Sequence, residues 1–305
     1  MTMTELAIST AGLTKRYGGT LALDRLDLDV TPGEVFGFLG PNGAGKSTAI
    51  RVFIGALRAN SGTVTILGRD PFTADASWRH ELGYLPGELV LPQSATAERY
   101  LNYLARLRSG RGADQIRSLA SRLRLDVTKP MRSLSKGNKQ KVGVIQAFMH
   151  QPKLLILDEP TSGLDPLLQH EVASMIAEAQ QRGATAFFSS HVLSEVEATC
   201  SRVAIIRQGQ LVTVDLVARL REIAGQTLSV TFDADVPTNL LAGIDAVTDV
   251  TVDRNTLHAV VHGNIGEVLA KVAALSVTDM QLVDRELDDL FLTYYRDAPA
   301  ADTHE

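Results

Sequence analysis

The stretch FLGPNGAGKSTAI, residues 38–50, decides how the rest of the chain is read. Within it, Gly40, Pro41, Asn42, Gly43, Ala44, Gly45, Lys46 and Ser47 satisfy G-x-x-x-x-G-K-[ST] at every fixed position. The short apolar run VFGFLG (35–40) precedes the loop, and KSTAIRVFIGAL (46–57) follows it with helical spacing. The order is therefore strand, glycine-rich loop, helix. Glycines permit backbone conformations that aim successive N–H groups inward, and a helix starting near Lys46 adds the positive end of its dipole. Such a loop holds phosphates. Lys46 serves as a point charge bridging β- and γ-phosphates. Ser47 offers an oxygen to Mg²⁺, a hard ion that takes oxygen ligands, and Thr48 adds a hydrogen bond to phosphate. The loop alone specifies a nucleoside triphosphate; it does not separate a kinase, a GTPase or a motor.

Further along, LLILDEP (154–160) is an apolar run that ends in Asp158 and Glu159. A carboxylate at the C-terminal edge of a neighbouring strand reaches the metal region of such a loop. Asp158 is thus a candidate metal holder, and Glu159 a candidate general base for an attacking water. FFSSHV puts His191 at the end of another strand on that edge, where an imidazole can hydrogen-bond a γ-phosphate. GTVTILG (62–68), KLLILD (153–158), TAFFSS (185–190) and RVAIIRQGQLVTV (202–214) read as further strands, the last a hairpin about Gln208–Gly209. Helical segments separate most of them, which predicts an α/β domain with a mainly parallel core sheet.

Between Pro92 and Gln151 the pattern becomes Leu- and Arg-rich at helical spacing (Tyr100, Leu101, Leu104, Leu107, Ile116, Leu119, Leu123). It reads as a helical insertion, its arginines (Arg99, Arg106, Arg108, Arg111, Arg117, Arg122, Arg124) forming a solvated face. After Gly225 the composition shifts. QTLSVTF, a helix near Leu240, VTDVTVD, TLHAVVHG, a helix over 265–275 and VTDMQLVD give a β-α-β-β-α-β order, the split-βαβ arrangement of a small α+β domain. The organisation expected is residues 1–224 as the nucleotide domain, with a helical subdomain over about 92–151, then an accessory domain over 225–297 and a tail over 298–305.

With 305 residues, 45% hydrophobic and 21% charged, the chain is long enough for a large buried core and a second, smaller domain. A net charge of −5 gives no general attraction to nucleic acid or to an acidic membrane surface. The single cysteine, Cys200, reads as a small buried residue and fits a reducing compartment. The first residues lack a signal-peptide pattern, and no window approaches the ~18 apolar residues of a membrane span. A membrane role would therefore act through a partner.

Together with LSKGN (134–138), these motifs resemble the ATP-binding subunit of ABC transporters, over roughly residues 5–220. The resemblance implies a P-loop cassette with an antiparallel β part, the cofactors ATP and Mg²⁺, and the family's residue roles. LSKGN stands where the family has LSGGQ; Ser135 and Gly137 match, and Lys136 and Asn138 depart. In the family this helix start caps ATP bound to the opposite subunit. Tyr17, in KRYGG, resembles the aromatic that stacks on adenine. SGLD (162–165) resembles the loop joining the two ATP sites, with Asp165 as its key residue, and His191 resembles the switch histidine. Where the family has a glutamine after GYLP, one that touches Mg²⁺ and senses the transport partner, this chain departs with Gly87 followed by Glu88. The C-terminal LDDLFLTYY (287–295) resembles the ending of ABC-2-type exporter ATPases for drugs, antibiotics and polysaccharides.

What the resemblance implies is a motor: two copies head to tail, sandwiching two ATPs, with an integral membrane permease docked near residues 83–93 on the cytoplasmic face of the membrane. Two other readings compete. A soluble ABC ATPase acting on ribosomes or chromosomes would carry a second cassette or long coiled coils, and the chain shows neither. A P-loop kinase or GTPase has no need of LSKGN ahead of LLILDEP.

Overall fold

The computed structural model describes residues 5–72, 75 and 77–285. In chain order, β1 (Ile8–Tyr17), β2 (Thr20–Val30) and β3 (Val35–Leu39) precede α1 (Lys46–Phe53), β4 (Ser61–Ile66) and β5 (Leu82–Leu85). Three helices follow: α2 (Ala97–Leu107), α3 (Gln115–Arg122) and α4 (Lys136–Phe148). Next come β6 (Leu154–Asp158), α5 (Pro166–Gln181), β7 (Thr185–Ser190), α6 (Leu193–Thr199), β8 (Arg202–Arg207) and β9 (Gln210–Leu216). The last described elements are α7 (Val217–Ala224), β10 (Gln226–Phe232), β11 (Val247–Asp253), β12 (Thr256–Val261), α8 (Gly266–Val272) and β13 (Val277–Asp284). Two compact units divide between Val214 and Asp215.

In the first unit, a six-stranded sheet runs β5-β6-β7-β3-β8-β9. The pairs β5–β6, β6–β7, β7–β3 and β3–β8 are parallel. Every residue of β3, β6 and β7 is buried, the signature of strands covered on both faces, which explains why they read as continuous apolar runs. Phe187 of β7 joins two strands to a helix: its ring centroid lies 6.0 Å from Phe36, 5.2 Å from Phe38 and 5.4 Å from Phe53 of α1. These aromatic contacts seat α1, and with it the loop before α1, on the sheet. The β8–β9 hairpin turns at Gln208 and Gly209, with φ of 50° and 81°. Two successive positive φ values are the type I′ geometry that matches strand twist.

A separate three-stranded sheet runs β2-β1-β4, antiparallel throughout. In β2, Leu26, Leu28 and Val30 are buried while Asp27 and Asp29 face out, the period-2 alternation of a half-covered strand. The strand read at GTVTILG belongs here, not to the parallel sheet. Helices α2, α3 and α4 make up the insertion. Not all of its arginines are solvated: Arg122 donates to Glu171 (2.7 Å) and, through both terminal nitrogens, to Glu178 (2.8 Å each), tying α3 to α5.

In the second unit, β11-β12-β10-β13 form an antiparallel sheet. That strand order is the one a split βαβ requires. The helix expected near Leu240 is not formed. Leu240 N donates to Pro237 O and Ala242 N to Asn239 O, three residues back in each case. Gly243, at φ 80°, ends the segment. Only a handful of residues lie between proline and glycine, too few to repay helix nucleation. Val236, Leu241 and Ile244 nevertheless fill the core with Val268 and Val272 of α8. The ending read at 287–295 lies outside the described residues. Among those described, no helix is long and apolar enough to cross a membrane. Cys200 is buried, and burial raises its thiol pKa.

Candidate functional site

The phosphate loop spans the gap between the end of β3 and the start of α1. Two glycines there are dictated by close approach. A Cβ on Gly40 would collide with the carbonyl oxygen of Ile206, and one on Gly45, at φ 110°, would lie 2.6 Å from Ala22 O. Pro41 O accepts from Ala44 N at 3.1 Å, which tightens the turn. The backbone N–H groups of Asn42, Gly43, Gly45, Lys46 and Ser47 make no hydrogen bond among the described residues. Lys46 is 5% exposed. Its Nζ donates to Gly40 O at 2.5 Å and Pro41 O at 3.2 Å, and lies 3.8 Å from Glu159 Oε1. Burial lowers its pKa, while Glu159 and Asp158 pull it back up.

Asp158 ends β6, and β7 separates that strand from β3. Ser189 of β7 sits in register with both Phe38 and Asp158. Its hydroxyl donates to Asp158 Oδ1 at 2.5 Å, and Ser47 Oγ donates to Asp158 Oδ2 at 2.9 Å. One carboxylate thus links the first turn of α1 to the strand between them. The next residue, Glu159, has φ 50°, a left-handed conformation uncommon outside glycine. Its N–H is held by Ser189, to the carbonyl oxygen at 3.1 Å and to Oγ at 3.2 Å. The Glu159 side chain reaches His191 as well as Lys46: its Oε1 lies 3.0 Å from His191 Nδ1. Behind His191, Ser190 Oγ donates to Glu195 Oε2 at 2.7 Å and accepts from Val192 N at 2.9 Å, fixing the turn out of β7.

The remaining candidates lie apart from this network. Ser135 caps α4, accepting from Asn138 N at 3.2 Å, and Asp165 caps α5, accepting from Leu168 N at 3.1 Å. Gly137 packs on the loop before α5; a Cβ there would lie 2.6 Å from Gly163 O. Tyr17, the last residue of β1, is 45% exposed, with Lys15 Nζ 5.4 Å from its ring centroid. Gly87 abuts Asp158: a Cβ would lie 3.1 Å from Oδ2. A side chain at this position would touch the carboxylate, and glycine leaves that oxygen to Ser47. Two residues were missed in the sequence. Ser189 is legible only as the penultimate residue of FFSS. Gln140, buried in α4, donates from Nε2 to Glu159 O and Pro160 O at 3.1 Å each, and tethers the helix that Ser135 caps to the turn that carries Glu159.

The chemistry of the donors fits a magnesium nucleotide. Five uncommitted N–H groups and a buried ammonium suit phosphate oxygens. A hydroxyl and a carboxylate in contact, Ser47 and Asp158, suit a hard divalent cation.

Comparison with known proteins supports the same conclusion. The ABC transporter family model matches residues 23–162. The bacitracin transport ATP-binding protein BcrA of Enterococcus faecalis is 31% identical over 95% of this chain and 97% of its own length. An uncharacterized ABC transporter ATP-binding protein of Synechocystis is 31% identical over 90% of this chain and 79% of its own. The solved structure of an ATP-binding subunit of an ABC transporter superposes with a TM-score of 0.66 at 29% identity, covering 71% of this chain and 92% of that one. With the cassette fold, the phosphate loop and these relatives in agreement, the chain belongs to the ATP-binding subunits of ABC transporters, ATPases whose hydrolysis is coupled to transport.

Proposed function

We propose that this subunit powers an exporter of drugs, antibiotics or similar hydrophobic compounds, bound through an integral membrane permease to the cytoplasmic face of the membrane. The name of the Enterococcus relative, a bacitracin transport protein, supports the cargo class. The observation that carries the catalytic part is the continuous contact from Ser47 through Asp158 and Ser189 to Glu159 and His191.

In this reading, the amides of Asn42, Gly43, Gly45, Lys46 and Ser47, together with Thr48 and the Lys46 ammonium, bind the phosphates. Ser47 and Asp158 would hold Mg²⁺, which supplies charge neutralisation between the phosphates when bound. Glu159 takes a proton from water. His191, against the same carboxylate, orients it and donates toward the terminal phosphate. Tyr17 stacks on adenine. Ser135 and Gly137, with Asp165 nearby, act on the nucleotide of a second copy, so that ATP joins two chains and hydrolysis releases them. Glu159→Gln should keep ATP binding and lose about 10²–10⁴-fold in turnover. Steady-state phosphate release alongside nucleotide affinity checks this; turnover at the unmodified rate would remove Glu159 as the base.

A further inference from the structure

Glu159 is held in a conformation that its own sequence opposes. A φ of 50° is uncommon outside glycine, and the residue before a proline, here Pro160, is steered toward extended backbone instead. Such a residue persists only where its surroundings over-determine it, and such outliers gather where function needs a side chain held still. The restraints on Glu159 come from two sides. On the amide side, Ser189 of β7 accepts from Glu159 N through its carbonyl oxygen at 3.1 Å and its Oγ at 3.2 Å. On the carbonyl side, Glu159 O accepts from Ser162 N at 3.1 Å, a local bond that closes the turn.

The long-range restraint on that side is Gln140 of α4. A glutamine NH₂ group has two donors, and Nε2 here reaches two carbonyl oxygens, Glu159 O and Pro160 O, each at 3.1 Å. Among the described residues, no other donor reaches Pro160 O. Gln140 is 7% exposed, so water does not stand ready to replace its amide. Neither bond touches the phosphate loop. Without them, two carbonyl oxygens in a buried setting lose a donor. The cheapest relief is relaxation of Glu159 toward the extended backbone that a following proline favours. That rotation would swing the carboxylate off Lys46 and His191.

We propose that Gln140 is a positioning residue for the general base, a role that rests on the reading of Glu159 given above. Its amide fixes the carbonyl side of the turn, as Ser189 fixes the amide side, and the two together keep the Glu159 carboxylate against Lys46 and His191. Ser189 alone would leave the turn free to pivot about its anchor on β7. Gln140 therefore acts on turnover through the placement of Glu159, and not on nucleotide binding.

The test compares full-length protein carrying Gln140→Met, Glu159→Gln and both. Methionine keeps the length and approximate volume of the side chain and has no donor. Isothermal titration with Mg²⁺ and ADP gives nucleotide affinity and the fraction of binding-competent chains; phosphate release at saturating ATP gives turnover per competent chain. Gln140→Met should leave ADP affinity unchanged and lower turnover about tenfold to 10²-fold. Added to Glu159→Gln it should cost nothing further, because the base it positions is already gone. A residue that merely supports the fold would lower thermal stability and the competent fraction, with turnover per competent chain unchanged. Normal turnover per competent chain in Gln140→Met, or a loss that multiplies with that of Glu159→Gln, would overturn the inference while the base assignment stands. Unimpaired turnover in Glu159→Gln would overturn both. If Gln140→Met does not fold, Gln140→Asn replaces it: one methylene shorter, its amide falls short of both carbonyls, and the same outcomes decide.

Discussion

Lys46, Ser47, Asp158, Glu159 and His191 form one connected network at the C-terminal edge of the six-stranded sheet. Ser135, Gly137, Asp165 and Tyr17 do not join it. Two of them spend their side chains capping their own helices, Gly137 packs on a loop, and Tyr17 stands exposed on another sheet. Within one chain, the first group is ready for phosphate and metal, while the second has no nucleotide-facing partner of its own. In the proposed reading Tyr17 acts with the first group on the nucleotide of its own chain, and Ser135, Gly137 and Asp165 act on that of a second copy. The side-chain amide of Gln140, which donates to Glu159 O and Pro160 O, ties the helix that Ser135 caps to the turn carrying Glu159.

Substitutions that strike the two groups should therefore separate binding from turnover. The largest effect on nucleotide binding belongs to Lys46→Ala, which removes the buried ammonium: ATP affinity should fall about 10²-fold. Isothermal titration measures it, and affinity within a factor of two of the parent would break the first half of the comparison. Tyr17→Ala should weaken ATP about tenfold through lost stacking while leaving turnover at saturating ATP unchanged; fluorescence binding with a nucleotide analogue measures the first and phosphate release the second. Ser135→Ala sharpens the contrast most. It should leave ATP affinity of the single chain unaltered, cost about 1 kcal/mol of stability through the lost cap, and abolish turnover only if the second copy uses that hydroxyl. Chemical denaturation and phosphate release together decide it; a variant that turns over normally would leave Ser135 as a cap and nothing more.

Much of the first group was legible because its chemistry is local. The loop GPNGAGKS and the strand ends LLILDEP and FFSSH are contiguous, and buried parallel strands announce themselves as apolar runs. Ser189 and Gln140 were not legible, since their importance comes from register across β7 and from the packing of α4. The turn at 238–243 misled for another reason: the apolar run Leu240, Leu241 and Ala242 sits between Pro237 and Gly243, and the segment is too short to repay helix nucleation.

The most direct test of the central claim is the sedimentation of purified Glu159→Gln with Mg²⁺ and either ATP or ADP. The account predicts a mass of two chains with ATP and one with ADP, and loss of the ATP-induced dimer when Ser135→Arg is added. A single-chain mass at saturating ATP, with nucleotide demonstrably bound, would contradict it.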